Sequence, residues 1–282
     1  MTVVHSSMLL LFAGLICLVR VAHAREFDCL IEPNQIVEIR SPVEGLIEKN
    51  HIERGDFVRK GQLLLELQSN VERANVAVAK QRAEMMGRIF TARSRVDYTS
   101  KKVERLQELL AQSFISNQAR DDALVENRLA ESELKDAMEN QEQARLDYVR
   151  AMEVLNQRSL YSPFDGIVMD RVLNIGELAE AGTGRKALIK LAQVNPLRVE
   201  VLLSQKEYGG VRVGSRAIIL PEGLNSSYLA QVTIVDKVID AASGMFGVRL
   251  ALANPKGVIP GGVHCKVIFP SLQQPATRMN RG

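Results

Sequence analysis

NVERANVAVAKQRAEMMGRIFTARSRVDYTSKKVERLQELLAQSFISNQARDDALVENRLAESELKDAMENQEQARLDYVRAMEVLNQR, residues 70–158, contains no proline and only one glycine, Gly87. Its Ala, Glu, Gln, Arg and Leu content favours helix residue by residue. The stretch is expected to form two long helices, broken once near Ser113–Asn117. In the first arm, steps of four and three link Met85, Ile89, Ala92, Val96, Thr99, Val103, Leu106 and Leu110, of which only Thr99 is polar. In the second arm the same steps link Ala123, Asn127, Ala130, Leu134, Ala137, Gln141, Ala144, Tyr148, Ala151 and Leu155, with Asn127 and Gln141 polar. This spacing makes the narrow seam of a coiled coil. The break is short, so the arms are antiparallel neighbours. Ser116 is placed to N-cap the second arm, with Asp121 and Asp122 in its first turns. Arms of about 40 residues at 1.5 Å per residue project roughly 60 Å. The shaft reads either as a solvated spacer or as a docking rod.

The 282 residues carry a net charge of +3, few aromatics and no Trp. One large compact core is not favoured, and two or three small domains are. Basic residues are mixed with acidic ones along the helices, without interleaved aromatics, so nucleic acid is not an expected partner. At the N-terminus, Met8–Val19 is an apolar run of signal-peptide length, and Ala22-His23-Ala24 is a small-x-small cleavage site. Residues 1–24 are therefore expected to be a signal peptide, although the n-region has His5 and no Lys or Arg. Arg20 ends the run well short of the roughly 20 residues of a membrane span. After cleavage Cys29 and Cys265 remain, and they read either as a disulfide joining the ends of the chain or as two separate thiols.

Residues 25–69 and 159–192 flank the helices as an internal repeat. Ser41-Pro42-x-x-Gly45 matches Ser162-Pro163-x-x-Gly166, and a second turn follows at Gly55-Asp56 and at Gly176-Glu177. Each half ends in a short apolar strand, Leu63–Leu67 or Leu188–Leu191. Neither half could bury its face alone, so the two should pair across the helices. On these residues the chain resembles the split lipoyl/biotinyl-like domain of periplasmic adaptors, or membrane fusion proteins, of tripartite efflux and type I secretion systems. In a lipoyl or biotinyl domain the turn between the halves displays the lysine that carries the cofactor. Here the helices replace that turn and no Met-Lys-Met-like tripeptide occurs, with Lys60 and Lys190 both off the turn. The fold is expected to be kept and the carrier chemistry lost, so no cofactor is expected. A biotin or lipoate carrier subunit is the alternative reading.

The resemblance extends to the break in the helices. Adaptors that dock on TolC-like channels carry Arg, then Leu, then a small hydroxyl residue at fixed spacing, and Arg105, Leu109 and Ser116 stand at those spacings. Phe114 and Ile115 add apolar side chains at the turn. Residues 193–270 carry five alternating segments with glycine turns, among them Leu197–Leu203 and Val211–Leu220, and resemble the small antiparallel barrel of the same family. Asn254-Pro255 and Ile259-Pro-Gly-Gly262 resemble that domain's closing signature. Residues 271–282 read as a flexible tail. The membrane-proximal domain of the family's full form finds too little chain here.

The expected class is therefore α+β and elongated: a coiled-coil hairpin at 70–158, inserted in a split lipoyl-like sandwich and followed by a barrel. His51 and His264 are isolated, adjacent Met85 and Met86 point apart on a helix, and no phosphate loop or nucleophile elbow occurs. No metal and no enzyme activity are expected. The implied role is an adaptor ring in the Gram-negative periplasm, joining an inner-membrane transporter of RND or ABC type to a TolC-like outer-membrane channel. The joints Ser69-Asn70 and Ser159-Leu160 are the expected hinges.

Overall fold

The computed structural model describes residues 25–181 and 186–272. The expected signal peptide and residues 273–282 of the expected tail lie outside the described residues. In chain order the elements are β1 (Glu26–Ile39), β2 (Gly45–Asn50), β3 (Phe57–Val58), β4 (Leu63–Leu67), α1 (Asn70–Glu84), α2 (Gly87–Ala111), α3 (Asn117–Asn156), β5 (Ser159–Tyr161), β6 (Gly166–Arg171), β7 (Leu178–Ala179), β8 (Ile189–Ser204), β9 (Arg216–Pro221), β10 (Tyr228–Val235), β11 (Met245–Leu252) and β12 (Val263–Ile268). The chain divides into two units. One is Ile36–Ala192, and the other joins the chain before Ile36 to the chain after Ala192.

The Ile36–Ala192 unit is built on a reciprocal exchange between the two repeats. Gly55 N donates to Val168 O at 2.9 Å and Val168 N to Asp56 O at 2.9 Å. At the matching positions, Gly176 N donates to Ile47 O at 2.9 Å and Ile47 N to Glu177 O at 3.0 Å. Each half's turn thus closes on the other half's strand. Both turns use the left-handed φ that glycine tolerates, +94° at Gly55 and +87° at Gly176. Each turn is tied by an acid, Asp56 Oδ2 accepting from Glu53 N and Glu177 Oε2 from Asn174 N. The buried serines of the two Ser-Pro motifs also repeat, Ser41 Oγ donating to Val43 O and Ser162 Oγ to Phe164 O. The shared core includes Ile47, Val58, Leu64, Leu65, Leu67, Val168, Leu188, Ile189 and Leu191.

The helices interrupt an antiparallel strand pair. β4 and β5 pair as Leu65↔Leu160 and Leu63↔Tyr161, and the chain leaves β4 for α1 and returns from α3 into β5. The 40 residues of α3 are unbroken, and both α1 and α2 pack along them. The expected single break is corrected by a second one at Met85–Met86. Met85 has extended backbone, ψ 105°, and its side chain is 60% exposed rather than in the seam. The cause is phase. The half-buried stripe of α1 is Glu72, Val76, Ala79 and Ala83, whereas that of α2 begins at Ile89, one residue short of a heptad from Ala83. Each residue turns a helix by about 100°, so an uninterrupted helix would carry one stripe off α3. The break resets the phase, and the Gln141 side chain donates to Ala83 O. Farther along, the other two polar seam residues meet: buried Thr99 donates through Oγ1 to Asn127 Oδ1 at 2.8 Å.

In the second unit the strand order is β1-β12-β9-β10-β11-β8, and β8 also pairs β1, which closes a six-stranded barrel. Alternation along β8 sends Leu197, Val199, Val201 and Leu203 inward against Phe246, Val248, Leu250 and Val267. The barrel takes its first strand from β1, which an expectation limited to 193–270 leaves out, because Glu26–Ile31 pair with Val263–Ile268. Three further boundaries are corrected. β8 runs from Ile189 through Pro196 to Ser204 rather than starting anew at Leu197. The expected Val211–Leu220 strand begins only at Arg216, since Gly214, φ +88°, turns the chain. Leu272 packs on the barrel core, so the expected tail does not begin at 271. Buried Asn254 explains the closing signature: its Nδ2 donates to Val194 O and Ile259 O, and its Oδ1 accepts from Ile259 N. Cys29 and Cys265 stand opposite each other on β1 and β12, with Sγ atoms 2.07 Å apart.

Candidate functional site

The turn between α2 and α3 is where the sequence places a docking tip. α2 ends by satisfying its own carbonyls: Ser113 N donates to Leu110 O at 2.8 Å and Phe114 N to Leu109 O at 3.0 Å. This is a Schellman closure, with Ser113 at φ +62° in the place glycine usually takes. Sequence reasoning missed it because serine there carries no left-handed signal. Ser116 Oγ then accepts from Ala119 N at 3.3 Å, so the residue expected to dock also caps α3. Arg105 is exposed and Leu109 half-buried, four residues apart on α2. Phe114 projects from the turn at 73% exposure, beside half-buried Ile115. The apolar and hydroxyl groups of the tip thus gather on one turn, with Arg105 about 6 Å farther down α2 than Leu109.

Below the tip, ion pairs cross between the helices on one flank, Lys102 Nζ–Glu126 Oε2 at 2.7 Å and Arg95 Nη1–Glu133 Oε2 at 2.9 Å. The hydrogen bond and charge of Lys102 hold the Glu126 carboxyl below its ordinary range. Both pairs are exposed, so they fix register more than they add stability.

At the other end, Arg158 ties the helices to the strands. Its Nη2 donates to Glu72 Oε1 of α1 at 2.6 Å and its Nη1 to Glu44 O at 2.7 Å, while its own carbonyl accepts from Leu67 N at 2.8 Å. Arg73 adds a longer pair to Glu48, 3.4 Å. The two motif glycines, equivalent in sequence, do different things here. A Cβ on Gly45 would stand 2.6 Å from Arg158 Nη1. A Cβ on Gly166 would stand 2.4 Å from Ala192 O, a backbone atom. Pro42 and Pro163 each follow a buried serine, Ser41 and Ser162. Lys190 pairs with Glu38 at 3.3 Å, and the Lys60 amide donates to Asp165 Oδ1 at 2.7 Å, so both lysines sit away from the β4–β5 junction. Among the described residues, no helix is long and apolar enough to cross a membrane.

Residues 35–191 match the family described as RND MFP, barrel-sandwich hybrid domain. The membrane fusion protein MtrC of Neisseria gonorrhoeae is 24% identical over 265 residues, 88% of this chain and 60% of MtrC. The multidrug efflux pump subunit AcrA of Escherichia coli is 23% identical over 275 residues, 88% of this chain and 64% of AcrA. This chain therefore spans less than two thirds of either relative. Among solved structures, MacA from Actinobacillus actinomycetemcomitans has the same fold, with a TM-score of 0.70 at 22% identity over 87% of this chain and 78% of that one. The matched segment runs from the end of β1 through both repeats and the helices between them into β8, and by it the chain belongs to the RND membrane fusion protein family.

Proposed function

We propose that the chain is the adaptor subunit of a tripartite efflux or type I secretion machine and has no catalytic role. The observation that carries this reading is the insertion of the helices between β4 and β5, where a lipoyl-like domain would display its carrier lysine. A coiled-coil hairpin in that place exchanges cofactor chemistry for reach, about 60 Å along α3. Its tip offers Arg105, Leu109, Phe114, Ile115 and Ser116 to the helical end of a TolC-like outer-membrane channel. The barrel faces an inner-membrane transporter of RND or ABC type. Several copies form a ring, because one small tip binds weakly and many acting together supply avidity. The names of the relatives, a multidrug efflux pump subunit and a membrane fusion protein, support efflux over the biotin or lipoate carrier reading. Export by cleavage after Ala24 would place the mature protein in the Gram-negative periplasm.

The test is in-cell photocrosslinking from Leu109 and Phe114, with Met138 on α3 as the shaft control. A crosslink to the outer-membrane channel from the tip, lost in Arg105→Asp, is expected. Equal yield from Met138, or a yield indifferent to Arg105→Asp, refutes the tip assignment. An intact mass carrying a biotinyl or lipoyl group would revive the carrier reading.

A further inference from the structure

The adaptor reading makes no use of the disulfide in the barrel. Cys29 and Cys265 face each other on β1 and β12, 236 positions apart in sequence. They are 6% and 1% exposed, and on its far side β12 is covered by β9, where Cys265 stands opposite Pro221. Thiol–disulfide exchange needs access to a sulfur, and the closed barrel denies it at both residues. Exchange at this pair therefore belongs to a chain in which β1 is still off β12.

The two cysteines lie in oppositely charged sequence. Glu26, Asp28 and Glu32 surround Cys29, with Arg25 the one base between positions 25 and 32. His264 and Lys266 flank Cys265, and no Asp or Glu follows Asp240 in the chain. In the open chain the charge on Lys266, and on His264 when protonated, favours the thiolate at Cys265, while the acids disfavour it at Cys29. The same charges meet in the fold. Lys266 bonds Asp28 and is also attracted by Glu26, and His264 stands opposite Leu30. The register that joins Asp28 to Lys266 sets Cys29 opposite Cys265.

We propose that this bond is installed by a dithiol–disulfide oxidase of the Cys-x-x-Cys class, acting on the open chain through Cys265. The Cys265 thiolate attacks one sulfur of the oxidase disulfide and expels the other as a thiolate. The acidic β1 is then drawn to the basic β12, and Cys29, losing its proton, attacks the Cys265 sulfur of the mixed disulfide. The oxidase leaves as its dithiol, so two substrate thiols become one disulfide and the two electrons and two protons pass to the oxidase. Of the proposed function this rests only on export, which brings the chain to a compartment where such oxidases work. The chemistry itself is tested on purified protein, apart from export and from the adaptor role.

The test uses the full-length chain in a Cys17→Ser background, reduced, unfolded in urea at low salt and mixed with a purified Cys-x-x-Cys oxidase in its disulfide form. Acid-quenched, non-reducing gels read the adduct formed at the earliest times. The Cys29→Ser chain is expected to form it several-fold faster than the Cys265→Ser chain, with the gap closing in high salt or on adding Lys266→Gln. Equal rates, or faster capture by Cys29, overturn the order of attack. With both cysteines present, dilution from urea is expected to close the bond several-fold faster with the oxidase than in air alone, and equal rates overturn the partner. Folded, oxidised protein should resist dithiothreitol in native buffer and lose the bond quickly in urea. Equal loss in both overturns the requirement for an open chain.

Discussion

Arg158→Ala is the substitution through which the joint between helices and strands is best tested. The arginine side chain is 20% exposed and its partner Glu72 14%, so this pair is screened far less than those along the shaft. Removing it deletes a charge-assisted bond to Glu44 O and leaves the Glu72 carboxylate half-sequestered without its cation. Together these should cost about 2–4 kcal/mol. For a unit of this size that lowers the melting temperature by roughly 5–15 °C. Gly45 supplies the internal control. Gly45→Ala drives its Cβ against the guanidinium tip, which must swing off Glu44 O, so its loss is bounded by that of Arg158→Ala. With Arg158 already gone, the atoms next nearest to the new methyl are Leu67 Cβ at 3.5 Å and Cδ1 at 3.6 Å, ordinary contacts. In that background Gly45→Ala should be neutral or stabilising by about 0.5 kcal/mol through the unfolded chain. Urea melts of the four proteins read the cycle. Strict additivity, or an Arg158→Ala loss within about 0.5 kcal/mol of zero, would refute the clamp.

Gly87→Ala should leave the second helix break in place and raise stability by up to about 1 kcal/mol, because phase and not glycine sets the break; a loss by far-UV circular dichroism counts against this. Ser113→Gly should stabilise by up to about 1 kcal/mol by relieving the left-handed backbone at the tip, as read by urea midpoint. Replacing Cys29 and Cys265 together by Ser should lower barrel stability by about 2–5 kcal/mol, since a bond between them closes a loop across 236 positions; two free thiols in denatured, unreduced protein would remove the premise. The hydrogen bond from His51, 2.6 Å, holds the Glu66 carboxyl below its ordinary value, with desolvation opposing and Lys49, the His51 charge and Arg73 assisting. A lowered folded value contributes stability above the unfolded carboxylate range and loses it as pH falls through the folded value. Glu66→Gln should therefore flatten the acid limb of urea midpoints as pH falls below about 5, and an unchanged limb would dismiss the pair.

Much of this protein is legible from neighbours along the chain. The three-and-four steps of α2 and α3, the Ser116 cap and the paired Ser-Pro-x-x-Gly motifs depend on residues close in sequence, and periodicity reports them directly. Even the exchange between halves is foreshadowed, since two half-faces that share the Ser-Pro-x-x-Gly motif can cover each other. What the tertiary structure alone decides is which distant group each residue faces. Met85 fits the α2 steps, yet α3 must also face Ala83, and meeting both demands breaks the helix. β1 reads as part of one half-domain, but its first residues are claimed by β12 from the far end of the chain. Gly45 and Gly166 are the same letter in the same motif, one clearing space for Arg158 and the other for the Ala192 carbonyl. The residues that impose these choices lie tens to hundreds of positions away, and only folding brings them within a few ångströms.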